Sequence, residues 1–198
     1  MVPYFAYIAI VSVCLAASVT DVRTGRIPNK LTASAMLGGL VFWLAVGLVE
    51  GRGLVGEPGA ISGTLGASFL TMLCGLVPFA MLVLMGGLGG GDMKLMGAIG
   101  AWSAQSAWGP SWRVVLDTTI YALFAAALIG VVVMIRHKRV RLTLTRVAGI
   151  AATRGKAMQP DDDGSALKVP FAVAAAAGIV VAGAEHLLGL WPPLLGGY

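Results

Sequence analysis

The chain is short of charge. Of its 198 residues only 12% are charged while 58% are hydrophobic, and the mean hydropathy is +0.86; an average soluble domain is about a quarter charged. That shortage excludes an ordinary water-soluble globule and leaves an integral membrane protein. Cysteine is scarce as well. Cys14 and Cys74 both fall inside apolar runs and form no C-x-x-C pair, which removes the sequence support for a structural zinc site or a disulfide framework. Both read as small apolar packing residues. The two histidines are His137, among basic residues, and His186, so no cluster of metal ligands is expected, and no cofactor. No low-complexity segment or internal repeat is present.

What the chain has in quantity is glycine, 28 residues, and long apolar runs. Small residues let helices approach closely in lipid, where burial of apolar surface no longer drives their association. A hydrocarbon core of about 30 Å takes roughly 20 helical residues at 1.5 Å each. Pro3 to Thr20, Leu31 to Val49, Ile61 to Met85, Val114 to Ile135 and Val169 to Leu190 reach or approach that length, and the run after Lys94 reaches it when extended through Trp108. The expected fold is an all-α integral membrane protein, a bundle of about six transmembrane helices forming one domain over residues 1–198. The first span is expected to be retained, because its basic residues Arg23, Arg26 and Lys30 follow the apolar run instead of preceding it. Pro78 should kink the third helix.

Orientation follows from the loops. With six spans, one face collects Arg23, Arg26, Lys30, Lys94 and the eight basic residues from Arg136 to Lys168, while the other holds only Arg52 and Arg113. The richer face is cytoplasmic by the positive-inside rule, which puts both termini on the non-cytoplasmic side. Trp102, Trp108, Trp112 and Trp191 then fall toward the outer interface, where aromatic belts form. The net charge of +5 is explained by this arrangement and calls for no nucleic acid. The basic loop at about 136–168 fits either an interfacial helix held to anionic membrane lipid, with Val140, Leu144 and Val147 on one face, or a strand of period two.

Two acids stand out, because a carboxylate in a membrane span is costly enough to be a functional candidate by default. Asp21 ends the first apolar run. Asp92 closes the glycine stretch Gly86 to Lys94, GGLGGGDMK, where glycines allow a tight bend and close approach of another chain. The topology brings both acids to the cytoplasmic face. Two carboxylates within hydrogen-bond reach cannot both ionise, so one keeps a proton and the other acts as base toward water, as in aspartic proteases. Asp92 suits the N-cap of a helix beginning at Met93. The helix dipoles favour the anion at Asp92 and the proton at Asp21. Gly91 is expected to leave room for a substrate backbone beside Asp92. The same acids would also serve a small ion- or proton-coupled transporter.

Asp21, Arg23 and Ile27-Pro28-Asn29, with Gly89-Gly90-Gly91-Asp92-Met93-Lys94, resemble the two catalytic motifs of type IV prepilin peptidases. The second motif is similar to the G-x-G-D signature of intramembrane aspartyl proteases. The chain as a whole looks like the short form associated with tight-adherence (Flp) pili, and the resemblance extends to Lys168-Val169-Pro170-Phe171, after which Ala172 stands where many relatives have glycine. The resemblance implies catalytic Asp21 and Asp92, with Gly89, Gly91, Lys94, Arg23, Pro28 and Asn29 binding substrate or shaping the site. The implied substrate is a pilin precursor, its leader cut at the cytoplasmic face of the bacterial inner membrane. Association with pilus assembly machinery is a further expectation. Bifunctional relatives methylate the new N-terminus with an added cytoplasmic region; the short connection after this first span implies peptidase activity without methyl transfer.

The other polar residues have quieter expected roles. Lys94 and Arg23 read as membrane-edge anchors or as charges beside the acids. Asp117 suits the first turn of the fifth span. Glu185 and His186 are expected to reach the outer interface. Asp161-Asp162-Asp163-Gly164 reads as a solvated turn.

Overall fold

A computed structural model describes residues 2–55, 63–85, 88–104, 111–136 and 170–189. These residues form six helices and, among them, no strand: α1 Val2–Thr24, α2 Asn29–Val49, α3 Leu65–Leu84, α4 Gly90–Trp102, α5 Trp112–Arg136 and α6 Phe171–Leu188. Four of them, α1, α2, α3 and α5, are long and apolar enough to cross a membrane. Their outward faces carry large exposed hydrophobics such as Phe5, Ile8, Val41, Met81 and Phe124. An apolar exterior on helices of this length suits lipid, where every backbone group is satisfied within its own helix. The protein is an all-α membrane protein.

The element at the centre is the shortest of the six. The 13 residues of α4 extend about 20 Å, less than the hydrocarbon thickness, and the extension expected through Trp108 lies outside the described residues. Yet Leu95 to Ala101 are all buried, and α4 touches each of the other five helices. Its residues explain how. A Cβ on Gly100 would collide with the Thr71 carbonyl of α3, and one on Gly75 of α3 would collide with the Met96 carbonyl of α4. On the other side, a Cβ on Gly39 of α2 would lie 2.8 Å from the Ala101 carbonyl carbon. Small residues thus seat α4 against backbone on two sides, the packing that lipid favours.

The end of α4 is tied by hydrogen bonds. Ser68 Oγ donates to the Ala101 carbonyl at 2.6 Å, Trp43 Nε1 to the Trp102 carbonyl at 3.1 Å, and Trp102 Nε1 to the Ala35 carbonyl at 2.8 Å. Trp102, expected in an interfacial belt, is partly exposed. Its indole N–H is used inside the bundle, and its ring packs 5.3 Å from Phe42. Trp112 is exposed, while Trp108 and Trp191 lie outside the described residues. So does the stretch after Arg136, expected to be an amphipathic helix or a strand, together with His137 and the acidic turn at 161–164.

One helix start and one helix end also differ from expectation. The third helix begins at Leu65 instead of Ile61, because Thr64 adopts extended backbone and its Oγ1 accepts the Ala67 N–H at 3.2 Å, a hydroxyl N-cap. It runs through Pro78 to Leu84. α1 continues past Asp21 to Thr24, where Gly25 at φ +64° donates its N–H to the Asp21 carbonyl at 2.7 Å. A left-handed glycine ends a helix at little cost. Asp21 is therefore one turn inside α1.

Candidate active site

Three helix ends converge around the two acids: the last turn of α1, the first turn of α4 and the first turn of α6. The connection from α1 to α2 is the clamp. Ile27 is buried while Arg26 and Pro28 on either side are exposed, and Ile27 packs over Gly91: a Cβ on Gly91 would lie 3.2 Å from the Ile27 Cβ. Pro28, at φ −63° and ψ 128°, starts α2, and its carbonyl accepts the N–H groups of Leu31 and Thr32. Asn29, in the first turn of α2, accepts a 2.9 Å hydrogen bond from Lys94 Nζ. The two sequence motifs are thus held together by one apolar contact and one polar contact.

The glycines divide their labour differently from the sequence expectation. The space beside Gly91 is taken by Ile27, so Gly91 shapes the site by letting the two motifs close. Gly90 is the open one, with nothing within 4 Å of where its Cβ would be. Gly89 is exposed too, and it is the N-cap of α4. Asp92 is consequently the third residue of the helix and not its cap. Its Oδ2 accepts the Gly89 N–H at 3.3 Å, which is half of a capping box; glycine has no side chain to supply the other half.

Asp21 has a partner that the sequence did not suggest. Its Oδ2 accepts the backbone N–H of Ala172 at 3.2 Å, in the first turn of α6. The first N–H groups of a helix lack intrahelical partners and carry the positive end of its dipole. Ser18, one turn earlier on α1, donates its hydroxyl to the Ala172 carbonyl at 3.0 Å, so α1 and α6 are joined at this point by both backbone groups of Ala172. The only sequence signal for this partner was Pro170-Phe171, a helix start at the head of the last apolar run.

Asp92 is half-buried and lies outside the four long spans. Burial pushes its carboxyl up to about 6, the Gly89 N–H pulls it down, and the charge of Asp21 pushes it up again. The last cause shows that the two acids share an electrostatic neighbourhood. Burial is the largest of these causes, so the carboxyl sits above its ordinary value despite the helix start. Arg23 is exposed, and no described hydrogen bond links its side chain to either acid.

Away from this end, the structure overturns two further expectations. Glu185 and His186 do not reach an interface: they are 0% and 1% exposed, as Asp117 is at 0%. His186 Nε2 lies 2.8 Å from Asp117 Oδ2, and Tyr121 donates its hydroxyl to Glu185 Oε2 at 2.6 Å. The expectation that no cluster of metal donors exists fails with them, because Asp117, Glu185 and His186 each place a ligand atom within 4.8 Å of the others. Asp117 is 68 residues or more from the other two in sequence, so only the pairing of α5 with α6 brings them together.

Comparison with known proteins agrees with the motifs. The type IV leader peptidase family matches residues 8–135, a segment that contains both Asp21 and Asp92 and covers more than half of the chain. The chain belongs to the type IV leader peptidase family. It is also 33% identical over 118 residues to a prepilin leader peptidase/N-methyltransferase of Burkholderia pseudomallei strain 1026b, and equally to that of strain K96243. Each match covers 60% of this chain and 34% of the relative, so the chain spans about a third of the length of the curated relatives it matches. No solved structure matches.

Proposed function

We propose that this protein is a membrane-embedded aspartic endopeptidase that removes the leader of type IV, Flp-type pilin precursors. The observation that carries the reading is the convergence of Asp21 and Asp92 at helix ends, inside the segment that matches the family. Asp21, already accepting a backbone N–H at the positive end of α6, acts as base. It takes a proton from a water whose oxygen attacks the scissile carbonyl carbon. Asp92 gives its proton to the carbonyl oxygen, forming a neutral tetrahedral diol. Asp21 then returns its proton to the leaving nitrogen while Asp92 recovers one from the collapsing diol, and the C–N bond breaks. The elements of water are consumed and both carboxyls return to their starting states.

Open Gly90 and exposed Gly89 give an extended peptide a route to Asp92, since backbone without side chains permits close approach. The Lys94 to Asn29 hydrogen bond holds the first turn of α4 against the start of α2. The active site faces the cytoplasm of the bacterial inner membrane, both termini face outward, and the pilin's hydrophobic helix lies in lipid beside the bundle. Pilus assembly machinery is a further partner. The connection between α1 and α2 carries no inserted region, which supports cleavage without N-methyl transfer.

The test is cleavage of a purified pilin precursor by the detergent-solubilised protein, with Asp21→Asn and Asp92→Asn as controls and mass analysis of the new N-terminus. Cleavage by wild type alone, leaving an unmethylated product in the presence of a methyl donor, supports the reading. Full cleavage by either Asn variant defeats the assignment of the acids.

A further inference from the structure

The second polar cluster lies far from the peptide chemistry. Ala172 and Glu185 are 13 residues apart on α6, which separates the two ends by about 20 Å at the helical rise. Nothing in the leader-peptidase mechanism uses Asp117, Glu185 or His186, yet burying two carboxylates and an imidazole in a bundle is costly unless something compensates their charge.

The local packing is built around them. A Cβ on Gly178 of α6 would lie 2.7 Å from the Thr118 carbonyl oxygen of α5, so the two helices meet at backbone distance just inside the cluster. Asp117 and Tyr121 are four apart on α5 and share one face, which points toward Glu185 and His186. His186 takes Asp117 Oδ2. The other oxygen, Asp117 Oδ1, is fully buried and accepts no hydrogen bond among the described residues. A buried acceptor left unmade costs about 1–3 kcal/mol, so this atom marks a place where a further electrophile belongs. Tyr121 holds Glu185 by one oxygen, the way an outer-shell donor orients a carboxylate ligand. His186 also lines a cavity of about 20 Å³, but neither Asp117 nor Glu185 does, so that cavity is separate from the donor cluster.

We propose that Asp117, Glu185 and His186 bind one divalent transition-metal ion, zinc foremost, which ties α5 to α6 at the end of the bundle opposite the catalytic acids. One imidazole nitrogen and two carboxylate oxygens are a borderline donor set that suits zinc and its neighbours better than magnesium or calcium, which take oxygen alone. Ligand atoms at about 2.0–2.2 Å from zinc lie about 3.5 Å apart in a tetrahedron. The three donors, all within 4.8 Å of one another, reach that spacing by side-chain rotation, and water fills the fourth position. Two carboxylates neutralise the dication. The rival arrangement is a metal-free network in which His186 and the neighbouring Arg113, whose Nε is likewise buried without a hydrogen bond among the described residues, balance the same two carboxylates.

The experiment is metal loading of the full chain purified in detergent and stripped with chelator. Zinc retained after desalting is counted by mass spectrometry, and cobalt(II) replaces it as a visible-absorption probe. We expect close to one equivalent of zinc per chain and cobalt d–d bands of a four- or five-coordinate site. Asp117→Asn should weaken zinc binding at least tenfold. His186→Cys should keep the metal and add a sulfur-to-cobalt charge-transfer band in the near ultraviolet, a signature that a merely structural histidine would not produce. If His186→Cys does not fold, wild type and Asp117→Asn still decide. Retention below a tenth of an equivalent by wild type, or unchanged retention and spectra in the variants, overturns the proposal in favour of the metal-free network.

Discussion

The two ends of α6 hold the same chemical groups in opposite circumstances. At its first turn, Asp21 and Asp92 are partly exposed, each takes one backbone N–H at a helix start, and a glycine beside them faces open space. Near its last turn, Asp117 and Glu185 are sealed from solvent and bound to His186 and Tyr121. A carboxylate that must exchange protons with water and meet a peptide needs the first environment. One that fastens two helices suits the second. Exposure and partner type, more than residue identity, separate the candidate catalytic acids from the buried cluster.

The sharpest way to break this contrast is to neutralise one acid at each end. Asp92→Asn or Asp21→Asn is expected to lower pilin-precursor cleavage by about 10³-fold or more, within the range for losing a general acid or base together with its partner's function, while leaving the thermal midpoint nearly unchanged. Asp117→Asn should show itself first in a lowered midpoint. Cleavage rates and detergent melting curves on the three variants check this, and the reverse pattern would abolish the distinction.

The next largest effect concerns the helix that carries Asp92. Gly100→Val places a branched side chain against the Thr71 carbonyl, and overpacking against backbone is expected to cost roughly 3 kcal/mol. Folded yield and chemical denaturation in detergent would read it. Gly90→Ala, with open space at its Cβ, should fold normally. Similar losses at both positions would show that α4 is not seated by its glycines.

A smaller effect should appear with pH. Asp92, lifted to about 6, holds the acid proton more fully below that value, so kcat/KM should fall as pH rises through about 6 on the alkaline limb. Because the Asp21 charge is one of the causes that lift it, Asp21→Asn should lower the Asp92 midpoint. Carbon-13 titration of labelled aspartate reads that shift without requiring activity, and an upward shift would contradict the arrangement.

The smallest effect is expected at Lys94→Met, which removes an exposed hydrogen bond to Asn29. A net contribution of about 1 kcal/mol corresponds to roughly fivefold in kcat/KM, recoverable in part by arginine. No change would mean that Lys94 acts only as a membrane-edge anchor.

Much of the fold was legible in the chain because lipid imposes a simple rule. Apolar runs of about 20 residues become helices, and α1, α2, α3 and α5 fall close to where hydropathy puts them. The catalytic candidates were legible as costly acids next to turn chemistry. Illegible were the partners that reach them from elsewhere. Ala172 serves Asp21 through a backbone N–H that any residue but proline could supply, so its identity carries no signal. Ile27 fills the space beside Gly91 from across a turn. Asp117, Glu185 and His186 each looked like an ordinary helix-end residue, since their meaning lies in the packing of α5 on α6.

By itself the sequence determined that this is a helical membrane protein and which two acids and glycine turn are its catalytic candidates, because hydropathy, turn residues and motif spacing are local properties. The tertiary structure decided the rest. Ile27 closes over Gly91 while Gly90 stays open, and burial lifts the Asp92 carboxyl despite its helix start. It also assembled the buried cluster at the far end of α6, because burial and contact between distant helices exist only once the bundle is packed.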